Sequence, residues 1–139
     1  MEHMTVSYPM TLRLLSSQTG SRPLPAQFHY SARDPLAVTV VFDAQSESPV
    51  SWVFARDLLA EGLDGRAGIG DISLWPTEDE AGLPALQIRL SSPDGDAYIL
   101  ASASQVEEFL ARTWRVVPPG AESALLGIDL ALVSLLDGA

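Results

Sequence analysis

The spacing of apolar residues differs between the two ends of this chain, with a period of two near its start and a period of about 3.6 near its end. Over residues 5–15 they alternate with other residues, as in a strand with one buried face: Val6, Tyr8, Met10, Leu12 and Leu14. Toward the other end they recur as along one face of a helix: Val106, Phe109, Leu110, Thr113, Trp114 and Val117. Strands followed by helices predict an α+β fold.

The strand-like part predicts antiparallel sheets of about seven short strands, because turn residues separate its apolar runs. The candidate strands are Thr5–Leu15, Ala26–Tyr30, Leu36–Phe42, Val50–Phe54, Asp71–Trp75, Leu86–Leu90 and Ala97–Leu100. Pro23 and Pro25 are expected to interrupt the chain before the second of these, and Pro76 to end the fifth. A Pro-Asp-Gly turn ending at Gly95 is expected to join the last two.

Before residue 120, one short helix and one long helix are expected. Ala55–Gly62 contains strong helix formers and is expected to stop at its glycine, after which the glycine-rich stretch Gly65–Gly70 predicts a flexible turn. Ser104 and Glu107 form a capping box at the start of the longer helix. Pro118-Pro-Gly120 breaks the chain after it.

A last helix is expected from about residue 122 to residue 136. It carries two apolar stripes, one with Leu125, Ile128, Leu132 and Leu135 and another with Leu126, Leu130 and Val133. A helix that is apolar on two faces must be covered on two sides. Two interpretations stay open: a central helix clasped by the sheet, or a helix with one stripe facing another subunit or partner.

The length of 139 residues fits one domain over 1–139, strand-rich over 5–100 and helical over 103–137. The charge then limits its partners, because 18 acidic residues stand against 8 basic ones and give a net charge of −10. All the basic residues are arginines scattered along the chain, so nucleic acid and anionic lipid are not expected as partners. No signal peptide and no membrane span are predicted, and a cytoplasmic location is expected.

The sequence contains no recognisable catalytic, cofactor-binding or metal-binding constellation. There is no cysteine, and neither His3 nor His29 has a second ligand at helical spacing. His29 is expected to be an ordinary strand residue between Phe28 and Tyr30. The glycines of Gly68-Ile-Gly70 follow a helix and lack a lysine, which is the wrong order for a phosphate loop. The chain is therefore not expected to be an enzyme.

Large apolar residues beside arginines are the remaining candidates for function. Trp114 lies between Arg112 and Arg115 on the first C-terminal helix, and tryptophan with arginine is typical of interface hot spots. The stripe of Leu126, Leu130 and Val133 on the last helix is the second candidate. These six residues form the predicted protein interface.

Five segments in sequence order carry a family resemblance: Trp52–Gly62, Gly70–Pro76, Leu90–Gly95, Phe109–Thr113 and Val117–Glu122. Together with the preceding strand pattern, they resemble the SsgA-like protein family of sporulating actinobacteria over nearly the whole chain. The run Trp-Val-Phe-Ala-Arg-Asp-Leu-Leu that begins at Trp52 is quite specific, whereas a Pro-Asp-Gly turn alone is common.

The resemblance implies a single SsgA-like domain that controls sporulation-specific cell division without catalysis. It implies that the protein helps to position septa by recruiting the tubulin-like division protein FtsZ, together with an SsgA-type paralogue. It also implies a fold similar to the single-stranded-DNA-binding whirly proteins, assembled as a trimer. The expected location is the cytoplasm at division septa.

Two other functions stay open at this point. A protein with a whirly-type fold could bind single-stranded nucleic acid. That function needs a positively charged groove, and the net charge of −10 argues against one. A hydrolase that acts on the cell wall at the septum needs clustered carboxylates in a pocket.

Overall fold

In this computed structural model, the eight strands of the described chain join one antiparallel sheet that curves into a half-barrel. The structure describes residues 4–16, 20–43 and 46–121. The strands are β1 Thr5–Ser16, β2 Gly20–Ser31, β3 Asp34–Phe42, β4 Val50–Ala55, β5 Ala67–Ile69, β6 Ile72–Glu78, β7 Pro84–Ser92 and β8 Gly95–Ser102. The helices are α1 Arg56–Asp64 and α2 Ala103–Val116. The predicted α+β class is confirmed.

The chain builds the same arrangement twice, four strands followed by one helix. The strand order β4-β3-β2-β1-β8-β7-β6-β5 places the two four-stranded meanders side by side. β1 pairs with β2 along its whole length but with β8 only from Arg13↔Leu100 to Leu15↔Tyr98. The two units therefore share a short seam, and the sequence itself shows no repeat.

The core lies between one face of the sheet and the two helices. The predicted alternation in β1 is present, since Met10 and Leu12 are buried while Thr11 between them is exposed. Phe109 of α2 packs edge-to-face on Phe28 of β2, with ring centroids 5.3 Å apart. Burial of each such side chain contributes about 1.5–3 kcal/mol.

The prediction that prolines end strands was wrong. The prolines lie inside strands, at positions where the strand has a neighbour on one side only. β2 includes Pro23 and Pro25, which pair with β1 on one side, whereas β3 pairs with β2 only from Ala26 onward. β6 likewise continues through Pro76 to Glu78, beyond the part that pairs with β5. A proline lacks a donor N–H, so it is tolerated where no strand needs that donor.

The count of about seven strands missed β5. Ala67–Ile69 pairs with Leu74–Ile72 of β6, within the glycine-rich stretch expected to be a turn. A Cβ atom added at Gly68 would lie 3.0 Å from the carbonyl oxygen of Ile72, so a glycine allows the two backbones to approach. The predicted hairpin from β7 to β8 is confirmed, and β3 and β4 form another antiparallel hairpin.

The helix boundaries also differ from the prediction. Gly62 does not end α1 but lies inside it, where an added Cβ atom would come within 2.8 Å of Cβ of Leu74. The N-cap of α2 is Ser102, whose hydroxyl accepts a hydrogen bond from the backbone N–H of Gln105, so the capping box at Ser104 was wrong. The last predicted helix lies outside the described residues.

Arg56 joins the start of α1 to the end of α2. Its side chain is 1% exposed, and Nη1 donates hydrogen bonds to the carbonyl oxygens of Thr113, at 3.3 Å, and Val117, at 2.7 Å. The guanidinium also stacks on Tyr30, 4.9 Å from the ring centroid. The last carbonyls of a helix carry partial negative charge and have no partner within the helix, so a cation there is stabilising.

Replacing Arg56 with alanine is expected to lower the free energy of unfolding by about 3 kcal/mol, because buried carbonyls lose a charged donor. Urea denaturation followed by circular dichroism measures this change. Arg33→Ala is the matched control, since Arg33 is exposed in the turn between β2 and β3 and its loss should cost less than about 0.5 kcal/mol. Equal effects of the two substitutions would contradict the role assigned to Arg56.

Gly62→Ala is expected to destabilise the protein by about 1 kcal/mol or more, because crowding against Leu74 outweighs the helix propensity gained. Gly65→Ala is the control, since nothing lies within 4 Å of its added Cβ atom and its φ of −178° is extended. Thermal and urea unfolding of both variants test this expectation. Stabilisation by Gly62→Ala would show that α1 moves away from β6 without cost.

Candidate protein-interaction site

The predicted interface residues of α2 do not form one patch. Arg112 is exposed, pairs with Glu108 at 3.0 Å, and lies over the ring of Tyr8 of β1 at 4.9 Å. Residues two apart on a helix are rotated by about 200°, so Trp114 lies on the opposite flank of α2. Arg115 is exposed in the last turn. The helix therefore separates Trp114 from Arg112, whereas Arg115, three residues after Arg112, lies on a neighbouring part of the helix surface.

Trp114 is half-buried and packs against the hydrophobic core. The buried part of its ring therefore stabilises the fold, and only the remaining part can contact a partner. The second half of the predicted interface, the stripe of Leu126, Leu130 and Val133, lies outside the described residues.

The sheet presents a second surface on the side away from both described helices. The cross-strand register places side chains of β6, β7, β8 and β1 in rows on this outer face. One row contains Trp75, Gln87, Leu100 and Arg13, and the next contains Ser73, Arg89, Tyr98 and Leu15. No residue of these rows belongs to the buried core cluster.

Four of the eight residues in these two rows are arginines or aromatic residues. The guanidinium of Arg66 lies 4.6 Å from the ring centroid of Trp75. Tyr98 is 40% exposed and lies in register with Arg89. We name the surface formed by Arg13, Arg66, Trp75, Arg89 and Tyr98 the arginine–aromatic face.

Polar contacts hold the arginines of the face in place. Arg89 donates to Oδ2 of Asp96 from Nη2 at 2.7 Å and from Nε at 3.1 Å. The hydrogen bond from Arg89 lowers the pKa of Asp96 below its ordinary value, so this carboxylate stays ionised to a lower pH than an unpaired aspartate. Arg13 donates from Nε to the hydroxyl of Ser21 at 2.9 Å. Such contacts reduce the conformational freedom that an arginine loses on binding a partner.

A groove of about 500 Å³ borders the face where the two meanders meet. Its lining residues are Arg13, Leu15, Ser21, Thr77, Glu78, Asp79, Glu80, Ala81, Gln87 and Leu100. Oδ1 of Asp79 accepts hydrogen bonds from the backbone N–H groups of Ala81 and Leu83, which uses this carboxylate to shape the loop. Gln87 is buried and donates to the carbonyl oxygen of Ile99 at 3.0 Å.

The described residues hold no group of three potential metal ligands. His29 is a strand residue of β2, as predicted, and its Nδ1 lies 2.9 Å from the hydroxyl of Ser7. His3 lies outside the described residues. No described helix has both the length and the apolar character needed to cross a membrane.

The sequence contained a usable signal for the arginine–aromatic face, namely the alternation along each strand. Arg13, Arg89 and Tyr98 each lie between two apolar neighbours on their strands and so point to the face opposite those neighbours. Finding the face also requires the pairing of β8 with β1, which joins residues about 85 positions apart and which no local pattern encodes.

Comparison with known proteins identifies the family. Residues 24–122 match the family model described as Streptomyces sporulation and cell division protein, SsgA. The chain is 45% identical to the sporulation-specific cell division protein SsgB of Streptomyces coelicolor, over 95% of this chain and 96% of that relative. It is 43% identical to the protein of the same name from Kineococcus radiotolerans, over 94% of this chain and 79% of that relative.

Two solved structures have the same fold. One, reported as "Mutations in SsgB correlate to longitudinal cell division during sporulation of Streptomyces coelicolor", superposes with a TM-score of 0.83 at 46% identity, covering 88% of this chain and 95% of that one. The other, an SsgA-like sporulation-specific cell division protein from Thermobifida fusca, gives a TM-score of 0.85 at 34% identity, covering 96% and 97%. The resemblance carried by the five sequence segments is thus confirmed, and the chain belongs to the SsgA family of sporulation and cell division proteins.

Proposed function

We propose that this protein is a non-enzymatic regulator of sporulation-specific cell division that helps to position septa by recruiting FtsZ. The names of its relatives support the part in sporulation and cell division. In this proposal the protein works in the cytoplasm at division septa as an oligomeric scaffold, a trimer, together with an SsgA-type paralogue. Three carboxylates, Glu78, Asp79 and Glu80, line the groove at the meander seam. Glu78 and Glu80 are exposed and Asp79 accepts hydrogen bonds from its own loop, an arrangement that favours binding over acid–base catalysis there.

The arginine–aromatic face carries the proposal. Tryptophan, tyrosine and arginine are the residue types that dominate binding energy at protein interfaces. Arg13, Arg66 and Arg89 lie on this face in a chain whose net charge is −10. The face therefore places three cations where an acidic partner can contact them. We assign FtsZ to this face.

Self-association is assigned to the helical side of the molecule. Arg115 and the exposed edge of Trp114 lie on α2, away from the arginine–aromatic face, because both helices pack on the inner side of the sheet. The stripe of Leu126, Leu130 and Val133 supplies the apolar part of this interface in the proposal. Separate surfaces allow the assembled protein to bind FtsZ and its own copies together.

Tyr98→Thr is expected to weaken binding to FtsZ roughly tenfold, because it removes an exposed aromatic ring while keeping a residue suited to a strand. Co-sedimentation of the purified protein with FtsZ polymers measures the affinity. Leu36→Thr is the matched control, since Leu36 is 45% exposed on β3 and lies outside the face. Unchanged binding of the Tyr98 variant, or equal loss in both variants, would refute the assignment.

The second candidate function is single-stranded nucleic-acid binding of the whirly type. One observation favours it, because a ring beside an arginine, as at Trp75 and Arg66, is a typical platform for stacked bases. The acidic loop Glu78-Asp-Glu80 borders the same face and opposes a phosphate backbone.

Fluorescence anisotropy with a labelled single-stranded DNA at low salt separates the two functions. We expect no binding, because the net charge of −10 repels the phosphates when screening is weakest. Salt-dependent binding that is lost in a Trp75→Ala variant would favour the nucleic-acid function instead.

A further inference from the structure

The two edges of the sheet are built differently. β5 forms one edge and is three residues long, Ala67–Ile69, with Gly68 inside it and Gly70 directly after it. Short edge strands resist pairing with other chains. β4 forms the other edge and is six residues long, Val50–Ala55. Its sequence, Val-Ser-Trp-Val-Phe-Ala, contains no charged residue and no proline.

β4 has the features of a strand ready to accept a neighbour. It pairs with β3 in an unbroken register from Ala37↔Ala55 to Phe42↔Val50, without a bulge that would turn its edge away. Trp52 lies in register with the buried Val40, on the core side of the sheet, yet is only half-buried. Val50, in register with the buried Phe42, is exposed. The core therefore reaches this edge with apolar side chains that one more strand would cover.

Acidic residues flank both ends of β4. Asp43 and Glu47 precede it and Asp57 follows it, and all three carboxylates are at least partly exposed. A second copy of the chain that paired antiparallel at this edge would bring Glu47 of one copy toward Asp57 of the other. Like charges across a strand pair are destabilising, so self-pairing is opposed, whereas a strand with basic residues at both ends is favoured.

We propose that the edge of β4 binds an extended segment of another protein, with alternating apolar residues flanked by arginine or lysine. The segment adds a ninth strand to the sheet by backbone hydrogen bonds, and its inward apolar residues cover Trp52 and Val50. Its flanking cations meet the carboxylates of Glu47 and Asp57. This surface is separate from the arginine–aromatic face and does not depend on the function proposed for that face.

The probe is the synthetic peptide Arg-Arg-Val-Thr-Val-Thr-Val-Arg-Arg, and the readout is amide hydrogen exchange of the whole protein. Those backbone N–H groups of β4 that point away from β3 are expected to exchange more slowly with the peptide bound. A peptide with proline in place of both threonines has the same charge but cannot form the ladder, so it should give no protection. Protection by the proline peptide, or protection elsewhere only, would overturn the proposal.

The substitution Val53→Lys tests the same edge by changing the protein instead of the peptide. Val53 is 59% exposed on the outer side of β4, so the substitution leaves the core intact while placing a cation beside the bound strand. We expect the affinity for the arginine-flanked peptide to fall at least tenfold. Leu83→Lys is the matched control, with the same charge change at a residue that is 61% exposed and far from β4 in the sheet order, and should bind the peptide as the unmodified protein does.

Sedimentation equilibrium of the Val53→Lys variant completes the test. We expect its oligomeric state to be unchanged, because the bound segment comes from another protein. Dissociation of the oligomer by Val53→Lys and not by Leu83→Lys would identify the edge as an interface between copies of this chain and overturn the proposal. The Tyr98→Thr variant should bind the peptide normally, so failure of the FtsZ assignment and failure of this one are distinguishable.

Discussion

The buried guanidinium of Arg56 is the interaction on which the arrangement of the two units depends. It begins the helix that follows the first meander, and it binds the last carbonyls of the helix that follows the second. An arginine suits this position better than a lysine, because its planar group can donate to two carbonyls and stack on Tyr30 at the same time. The seam between β1 and β8 is short, so this contact between helix ends is a second link between the units.

Much of the fold could be predicted from the sequence, because alternation in strands and helical spacing in α2 are local signals. The errors in the strand boundaries share a physical cause, which is that the bounds of a strand are set by pairing and not by composition. Pro23 and Pro76 read as strand ends, yet they lie where a strand has a neighbour on one side only. Gly62 and Gly68 were predicted to end a helix and to form a turn, yet each allows two elements to pack closely. A local pattern cannot separate these uses from ordinary turns.

The candidate site was predictable to a smaller extent. Arg112 and Trp114 are neighbours in sequence, but the helix places them on opposite flanks. The arginine–aromatic face is the reverse case, because its residues are far apart in sequence. Arg13 and Tyr98 come together only because β1 pairs with β8. Pairing between distant strands is set by the whole fold, so a face of this kind becomes visible only when the register is known.

The positions of the two proposed binding surfaces make a scaffold physically reasonable. β4 and β8 are separated by three strands in the sheet, a distance of roughly 19 Å at about 4.8 Å per strand. A segment added at β4 therefore leaves the arginine–aromatic face free, and the reverse also holds. The two surfaces also differ in charge, because acidic residues flank β4 whereas arginines populate the face. One small domain can thus hold two partners of opposite charge, which links them without any change in its fold.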